Sequence, residues 1–375
     1  MIYGIIIVMS INMQLFTTKF DQILNKIDLI DPYKYAVTRN FKNGNVTKLS
    51  PYISRGVIST RFIYEKLVEK GFNLKKCEKF IQELAWRDFW QQIWLNKGDL
   101  IDEDLKREQE GVNDFKISKS LVEAKTGINC IDEEINNLYE FGYMHNHMRM
   151  YVASIATNIA KSHWKTPAKW MYYHLLDGDW ASNSLSWQWV AGSNSNKKYY
   201  ANQENVNKYF NCNQKDTFLD NSYEIISSMN VPDEVSEKQD WNLMTIFSNE
   251  NEIKIDNSKP TLLYNYYNID PNWRKNEDVN RVLIFEPKIF KKYPVSQKCI
   301  DFSLSLSKNI KDIQIFFGDI DLLSSKYKVS NFIFKEHPLN LHYNGEEDKR
   351  DWLYKIEGEY LSFFKYWNKI RKKLI

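Results

Sequence analysis

The segment DGDWASNSLSWQW, which begins at Asp177, constrains this chain more than any other feature of its sequence. It brings two acids and the amide of Asn183 close to the indoles of Trp187 and Trp189. Carboxylates and an amide beside easily oxidised indoles suit a site that holds a polar, electron-accepting ring. They do not suit an ordinary hydrolytic centre.

The length and charge of the chain set broad limits. With 375 residues the chain is long enough for two domains, each with its own core. A net charge of only +3 permits nucleic-acid binding through a local patch but does not by itself indicate it. The histidines form no metal-binding pattern, so we expect no metal.

The cysteines and the start of the chain predict a cytoplasmic protein. The four cysteines are far apart and form no CxxC pair, which is typical of reduced thiols. The apolar start, residues 1–9, lacks the basic residues of a signal peptide and is too short to span a bilayer. We therefore expect no membrane contact.

Helical patterns fill the chain from about residue 15 to 225. Ser50 followed by Pro51 predicts a helix that is capped by the serine, and Ser59 predicts the cap of the next helix. A further helix is predicted over 78–96, and another runs from about 145 to 162.

The pattern changes after about residue 228. Residues 229–260 are polar and contain two prolines, which is typical of a linker. Beyond them, strands and helices alternate, which predicts a parallel α/β unit. The predicted strands are Val282–Glu286, Ile313–Phe317 and Asn331–Phe334, and the predicted helices are Val295–Leu306 and about 353–373.

A possible anion site precedes Pro51. Thr47, Lys48, Leu49 and Ser50 place two hydroxyl groups and free backbone amides at a helix N-terminus. Such an end carries unpaired N–H groups and a positive partial charge, which suit a pyrophosphate. Ordinary helix capping explains the same residues.

A second motif lies in the helix predicted over 78–96. Glu83, Trp86 and Arg87 are neighbours at positions i, i+3 and i+4. An indole can stack on a nucleobase while the neighbouring carboxylate bonds its edge. The alternative is an ion pair between Glu83 and Arg87 over a packed tryptophan.

A third motif surrounds Arg149. Its guanidinium is permanently charged and forked, so it can pair in a dry site with a carboxylate such as Asp177. Asn146 and Met150 flank it on the same helix. We assign no role to His147, because a single histidine on such a face is more often a packing residue.

These motifs, in this order over about residues 30–200, resemble the photolyase/cryptochrome family. Members hold FAD in an all-helical domain and use it to absorb blue or near-UV light. The resemblance implies a mainly α chain, with a helical FAD-binding domain followed by a small α/β region. The expected boundaries are 1–228 for the FAD-binding domain, 229–260 for a linker and 261–375 for the α/β region, whose role stays open.

The resemblance also implies roles for individual residues. The expected FAD-binding residues are Tyr35, Thr47, Lys48, Leu49, Ser50, Asn146, Arg149, Asp177, Asp179 and Asn183, the last facing flavin N5. The expected DNA-lesion pocket comprises Glu83, Trp86, Arg87, Met150 and Trp189. Trp187 matches the electron-relay ring nearest the flavin and Trp164 the next one outward, so Glu83, Asn183 and these two rings are the expected catalytic residues.

The expected function follows from the same resemblance. Asn146 and Met150 stand where (6-4) photolyases carry histidines, which favours cyclobutane dimers as substrate. We therefore expect a deoxyribodipyrimidine photo-lyase, a monomer that repairs pyrimidine dimers in DNA with reduced FAD. One alternative is a cryptochrome, a blue-light receptor without repair activity, and another is a light-independent flavin-binding module.

The chain also departs from the family pattern. Phe115 lies where a third relay tryptophan is expected, and the stretch from Lys197 to Asn205 differs from that of relatives. From the sequence we expect no N-terminal α/β antenna domain ahead of the helical part. The region from Arg281 onward is faintly similar to the middle of that domain, which leaves open a reduced, relocated version of it.

Overall fold

The computed structural model describes residues 16–247, 252–356, 358–360 and 362–375. The apolar start, residues 1–9, lies outside them. The chain divides into two compact units, each assembled from separate stretches. The first unit comprises the residues up to Ile30, Thr47–Leu95 and Met244–Ile375, and the second comprises Asp31–Val46 and Asn96–Leu243.

Helices dominate the chain and strands are few. The helices are α1 Phe20–Asp28, α2 Pro32–Thr38, α3 Ser50–Ser54, α4 Thr60–Glu69, α5 Glu78–Lys97, α6 Lys119–Val122, α7 Asn129–Phe141, α8 Asn146–Ser154, α9 Lys165–His174, α10 Trp180–Ala191, α11 Gln203–Phe210, α12 Tyr223–Ser228, α13 Asp233–Ser236, α14 Pro287–Lys292, α15 Gln297–Ser307, α16 Ile320–Tyr327 and α17 Phe363–Leu374. The strands are β1 Ile117–Ser118, β2 Lys238–Gln239, β3 Thr261–Tyr264, β4 Asn280–Phe285, β5 Ile313–Phe317, β6 Phe332–Lys335 and β7 Glu346–Asp348, and Gly98–Asp102 and Pro338–Asn340 are 3₁₀ turns.

The core of the second unit forms where α10 packs against α8 and α9. These helices carry apolar side chains around most of their circumference, so the α10 residues Trp180 and Leu185 are fully buried. At its end α8 passes into a π turn over Ile155–Ile159. Inside that turn, buried Asn158 donates from Nδ2 to the carbonyl oxygens of Val190 (2.9 Å) and Tyr199 (2.8 Å).

A parallel five-stranded sheet in the order β5-β4-β3-β6-β7 organises much of the first unit. The chain runs outward from β3 in one direction and returns to its other side for β6, as in doubly wound folds. Because such a sheet is covered on both faces, its strands are continuous apolar runs, and five of the six residues of β4 are buried.

The fold class expected from the sequence is confirmed: a helical domain with a small parallel α/β region. The strand Ile313–Phe317 coincides with β5, while β4 and β6 differ from the predicted bounds by one or two residues. The predicted helix over 353–373 was too long, since α17 begins only at Phe363. Leu353, inside the predicted helix, instead donates its backbone N–H to Asp88 of α5.

Two local predictions were wrong. Ser50 is the first residue of α3 rather than its cap, because Leu49 already has near-helical angles and takes the cap position. Cys130 and Cys212 form a disulfide with Cα atoms 6.5 Å apart, whereas the sequence predicted reduced thiols throughout. The spacing of 82 residues gave no sign of the pairing. Cys77 and Cys299 are free and buried.

The predicted linker, residues 229–260, is partly ordered structure. It contains α13 and β2, and β2 pairs antiparallel with β1. Its first part belongs to the second unit and its last part to the first, so the compact units do not follow the predicted boundaries. Those boundaries stay a prediction.

Within the described residues, no helix combines the length and apolarity needed to cross a membrane, and no cluster of acids, histidines and cysteines fits a metal ion.

A buried carboxylate ties α5 to the extended segment ahead of α17. Asp88 is almost fully buried and accepts hydrogen bonds from Thr60 Oγ1 (2.9 Å) and from the backbone nitrogen of Leu353 (2.7 Å). Burial raises its pKa from 3.8 to about 6, although attraction to Arg350 and the two hydrogen bonds act against this rise. The carboxylate therefore links stability to pH.

We expect the free energy of unfolding to fall as the pH rises from about 4 to about 6. In that window the folded state binds more protons than the unfolded state, because the pKa of Asp88 is higher in the fold. Asp88→Asn should remove this contribution, which amounts to roughly 2 kcal/mol between pH 4.5 and 7.5. Urea unfolding at pH 4.5 and 7.5 measures it, with Asp278→Asn, a change at an 82% exposed side chain, as the control. An unchanged pH dependence in Asp88→Asn would contradict the assignment.

Candidate functional site

A buried ion pair lies at the centre of the predicted flavin site in the second unit. Arg149 Nη2 contacts both oxygens of Asp177, at 3.0 and 2.9 Å, and Arg149 Nε donates to the carbonyl of Met144 at 2.9 Å. The side chains are 20% and 3% exposed. The sequence predicted this pair, and the structure brings its members together.

The start of α10 positions the next two predicted residues. Asp179 is the cap of this helix and accepts a hydrogen bond from the backbone nitrogen of Ser182 at 2.7 Å. Asn183, one turn further, donates from Nδ2 to the carbonyl of Ala168 at 2.9 Å. Because a carbonyl holds the amide nitrogen, the orientation of the amide is fixed and Oδ1 is left as an acceptor.

Other predicted residues of the second unit surround this group less closely. Asn146 is exposed at the start of α8, and Met150 is half-buried one turn later. Tyr35 is half-buried on α2.

The predicted phosphate-binding residues lie in the first unit, at the start of α3. Lys48 has a left-handed backbone with φ of 52°, and Thr47 Oγ1 accepts a hydrogen bond from the backbone nitrogen of Leu49 at 3.3 Å. Leu49 is buried, whereas Thr47, Lys48 and Ser50 are half-buried. The four residues thus form a tight turn that leads into the helix.

The predicted lesion residues of α5 also lie in the first unit. Glu83, Trp86 and Arg87 are all half-buried, and Arg87 Nη1 donates to Ser54 Oγ at 2.8 Å. The ring of Trp86 stacks on Phe363 of α17, with centroids 3.7 Å apart and planes 10° apart. One face of this indole is therefore covered by the chain itself.

The predicted relay rings Trp164 and Trp187 are both buried in the second unit. Trp164 Nε1 donates to Asp104 Oδ1 at 2.7 Å, which satisfies the one polar atom of the buried indole. The His163 ring lies 5.6 Å from that of Trp164 and stacks on exposed Phe115 at 4.7 Å. Phe115 thus stands near the outer end of this aromatic series, where the family has its third ring.

Trp189, the remaining predicted lesion residue, is a surface residue of α10. Its side chain is 39% exposed, and its ring lies 5.9 Å from the ring of Tyr199. Burial raises the pKa of Tyr199 to about 12, so its hydroxyl stays protonated at neutral pH.

Comparison with known proteins identifies this architecture. Residues 80–234 match the model of the FAD binding domain of DNA photolyase. This segment is similar to the FAD-binding domain of the photolyase/cryptochrome family. Its cofactor is therefore FAD, as the sequence motifs implied.

Several named proteins are similar to this chain. A deoxyribodipyrimidine photo-lyase of Alkalihalophilus pseudofirmus is 32% identical over 161 residues, which are 42% of this chain and 34% of the relative. A cryptochrome DASH of Danio rerio is 30% identical over 51% of this chain and 38% of its own length. The solved Synechocystis cryptochrome has a TM-score of 0.45 at 23% identity, over 51% of this chain and 43% of that chain. The chain spans about a third of the length of the first curated relatives it matches.

The polar groups of the second unit fit a flavin ring. The pyrimidine edge of a flavin presents an N–H donor between carbonyl acceptors. Asp177 and Asp179 supply carboxylate acceptors, while the Arg149 guanidinium supplies donors. Among the described residues, the buried hydroxyl of Ser182 next to Asn183 has no hydrogen-bond partner. A site with these donors and acceptors suits FAD.

The sequence analysis missed three residues that shape these groups. Tyr143 lies under the Arg149 guanidinium at 5.6 Å, and burial raises its pKa to about 12. Asp104 bonds Trp164 from 60 positions away, and Phe363 stacks on Trp86 from still further. Tyr143 lies beside the Arg149 motif and could have been found there, but no pattern signals the two distant contacts.

We expect Asp177→Ala to destabilise the protein and to remove FAD. It leaves the Arg149 guanidinium largely buried without its carboxylate, which costs about 3–5 kcal/mol. Urea unfolding and the ratio of flavin to protein absorbance measure the two effects. Asp240→Ala is the matched control, because it removes an exposed pair with Lys116 in the same unit. Full FAD occupancy in Asp177→Ala would show that the pair does not hold the cofactor.

Proposed function

We propose that this protein repairs cyclobutane pyrimidine dimers in DNA, using light and reduced FAD. The observation that carries the proposal is the partial exposure of Glu83 and Trp86 on α5. Their neighbours Leu84 and Ala85 are buried, whereas the carboxylate and the indole stay half-buried on one face. A partly exposed indole beside an acid suits a base that is stacked and bonded at its edge. Relatives named deoxyribodipyrimidine photo-lyase support the same function.

The proposed mechanism assigns each group a task. When bound in its reduced form, FAD would supply the light-driven one-electron chemistry that opening of the cyclobutane ring requires. Glu83 bonds the dimer after it leaves the base stack, and Trp86 and Trp189 contact its rings. Extrusion of a dimer costs less than flipping an intact pair, because the lesion is already poorly stacked. Arg149, Asp177, Asp179 and Asn183 hold the cofactor, with Asn183 Oδ1 as an acceptor.

One observation favours a cryptochrome-like light receptor as the second candidate. Phe363 already covers one face of Trp86, so the indole offers at most its other face to a dimer. A receptor would keep the cofactor site and the buried tryptophans without repairing DNA. Repair activity in light separates the two functions.

The proposed relay predicts that Trp187→Phe abolishes light-driven flavin reduction while FAD stays bound. Phenylalanine fills much of the same buried space but is far harder to oxidise. Trp164→Phe should slow net reduction less completely, because Trp187 can still give up its electron. Absorbance of the flavin during blue illumination with a reductant measures both rates. Tyr173→Phe serves as an aromatic control, and a wild-type rate in Trp187→Phe would assign the relay to other residues.

Repair itself is tested with Glu83→Ala on an oligonucleotide that contains a thymine dimer. A hydrogen bond to a charged group contributes roughly 1.5–3 kcal/mol, so dimer binding and splitting should fall about tenfold or more. Recovery of thymine absorbance in light, compared with a dark sample, measures splitting. Flavin absorbance should be unchanged, since Glu83 is assigned to the lesion.

Glu69→Ala, which removes an exposed acid of α4, is the matched control for Glu83→Ala. If wild type photoreduces its flavin but repairs nothing, the receptor function replaces the repair function. Equal repair by wild type and Glu83→Ala would remove Glu83 from the pocket.

A further inference from the structure

Helix α17 is firmly attached to the first unit through one face. Phe363 stacks on Trp86, and Tyr366 lies 5.5 Å from the ring of Phe89, so both side chains pack on α5. Tyr64 also donates to the carbonyl of Leu374 at 2.9 Å. The apolar face is buried completely, and its residues are Phe363, Tyr366, Trp367, Ile370 and Leu374.

The opposite face of α17 concentrates positive charge. The helix contains five basic residues and no acid, whereas the whole chain has a net charge of only +3. The rest of the chain is therefore slightly negative, and α17 alone reverses the sign. Arg371 is committed to Glu78, with an Nη2–Oε2 distance of 2.9 Å. Four exposed cations remain: Lys365, Lys369, Lys372 and Lys373.

These four lysines form one continuous strip. Lys365, Lys369 and Lys372 are related by spacings of four, three and seven residues, and Lys373 is adjacent to Lys372. Together they cover about 100° of the helix circumference and span about 12 Å along its axis. In the part of the chain that the structure describes, no carboxylate pairs with any of them. The helix dipole favours Lys372 and Lys373, which lie in the last turn, but it does not reach Lys365 and Lys369. Like charges at these spacings also repel one another along the helix. The strip as a whole is complementary in charge to a polyanion.

We propose that the lysine strip of α17 binds the phosphate backbone of the DNA that carries the lesion. This inference rests on the proposed repair function and assigns a second contact surface to it. The strip belongs to the helix that stacks on Trp86, so backbone binding occurs next to the predicted lesion residues. Phe364, which is 62% exposed on the same helix, offers a ring on which an unpaired base can stack.

A membrane surface is the main rival for this helix. Basic amphipathic helices with aromatic residues commonly lie on anionic membranes, but they insert their apolar face to do so. The apolar face of α17 is already buried in the protein, so only the charged face is available. That face suits phosphates reached from solvent.

The test compares a quadruple variant with wild type in the dark, without photochemistry. The variant carries Lys365→Gln, Lys369→Gln, Lys372→Gln and Lys373→Gln. Anisotropy of a labelled oligonucleotide with one thymine dimer gives the Kd at several salt concentrations. The slope of log Kd against log salt should fall by about 2 to 3, since each lost phosphate contact removes about 0.7 on a single strand. Phe364→Ala should weaken single-strand binding by about fivefold or more without changing the slope.

The matched control carries Lys308→Gln, Lys311→Gln, Lys326→Gln and Lys328→Gln, which remove the same charge from other exposed positions. It should keep the wild-type slope, and circular dichroism should show both variants folded. If the α17 variant keeps the wild-type Kd and slope, the inference fails while the repair proposal stands. If wild type binds no DNA, both fail. Lysine-dependent binding to phosphatidylserine vesicles, with DNA binding unchanged, would assign the strip to membranes instead.

Discussion

The ion pair between Arg149 and Asp177 is the interaction on which the cofactor-binding part of the structure depends. A guanidinium and a carboxylate can leave water together only if each satisfies the other, and here the contact involves both carboxylate oxygens. The pair joins α8 to the segment that leads into α10. Asp179 then caps α10 and Asn183 is fixed one turn later, so one electrostatic contact sets the position of the whole polar group.

A second set of contacts makes the first unit depend on residues that are distant in sequence. Asp88 on α5 receives the backbone of Leu353, and Gln91, one turn on, accepts a hydrogen bond from Arg350 at 2.7 Å. Phe363 then covers Trp86 on the same helix. The segment that runs from β7 to α17 therefore supports the helix that carries the predicted lesion residues. The α/β region takes part in building that surface, whatever else it does.

The sequence predicted two kinds of feature: a group that chemically requires a particular partner, and residues that lie close together along one helix or strand. The charge of Arg149 demands an acid, and Val282–Phe285 of β4 is a buried apolar run, which is typical of a sheet covered on both faces. It could not predict contacts that depend on how distant segments meet. The stacking of Phe363 on Trp86, the bond from Trp164 to Asp104 and the Cys130–Cys212 disulfide belong to this class. The early start predicted for α17 has the same origin, because the backbone N–H of Leu353 is bound by Asp88 of α5 and not by a helical carbonyl.

The π turn at Ile155–Ile159 has a consequence for how this helix can vary in evolution. One residue more than an α-helical turn requires is accommodated there, which rotates the last residues of the helix by about 100° from their position in a regular α-helix. Asn158 lies inside this turn, and its amide donates to the carbonyls of Val190 and Tyr199. A one-residue deletion would restore the regular phase and turn the amide away from both carbonyls. The length of this segment is thus as constrained as its composition, although no glycine or proline marks it in the sequence.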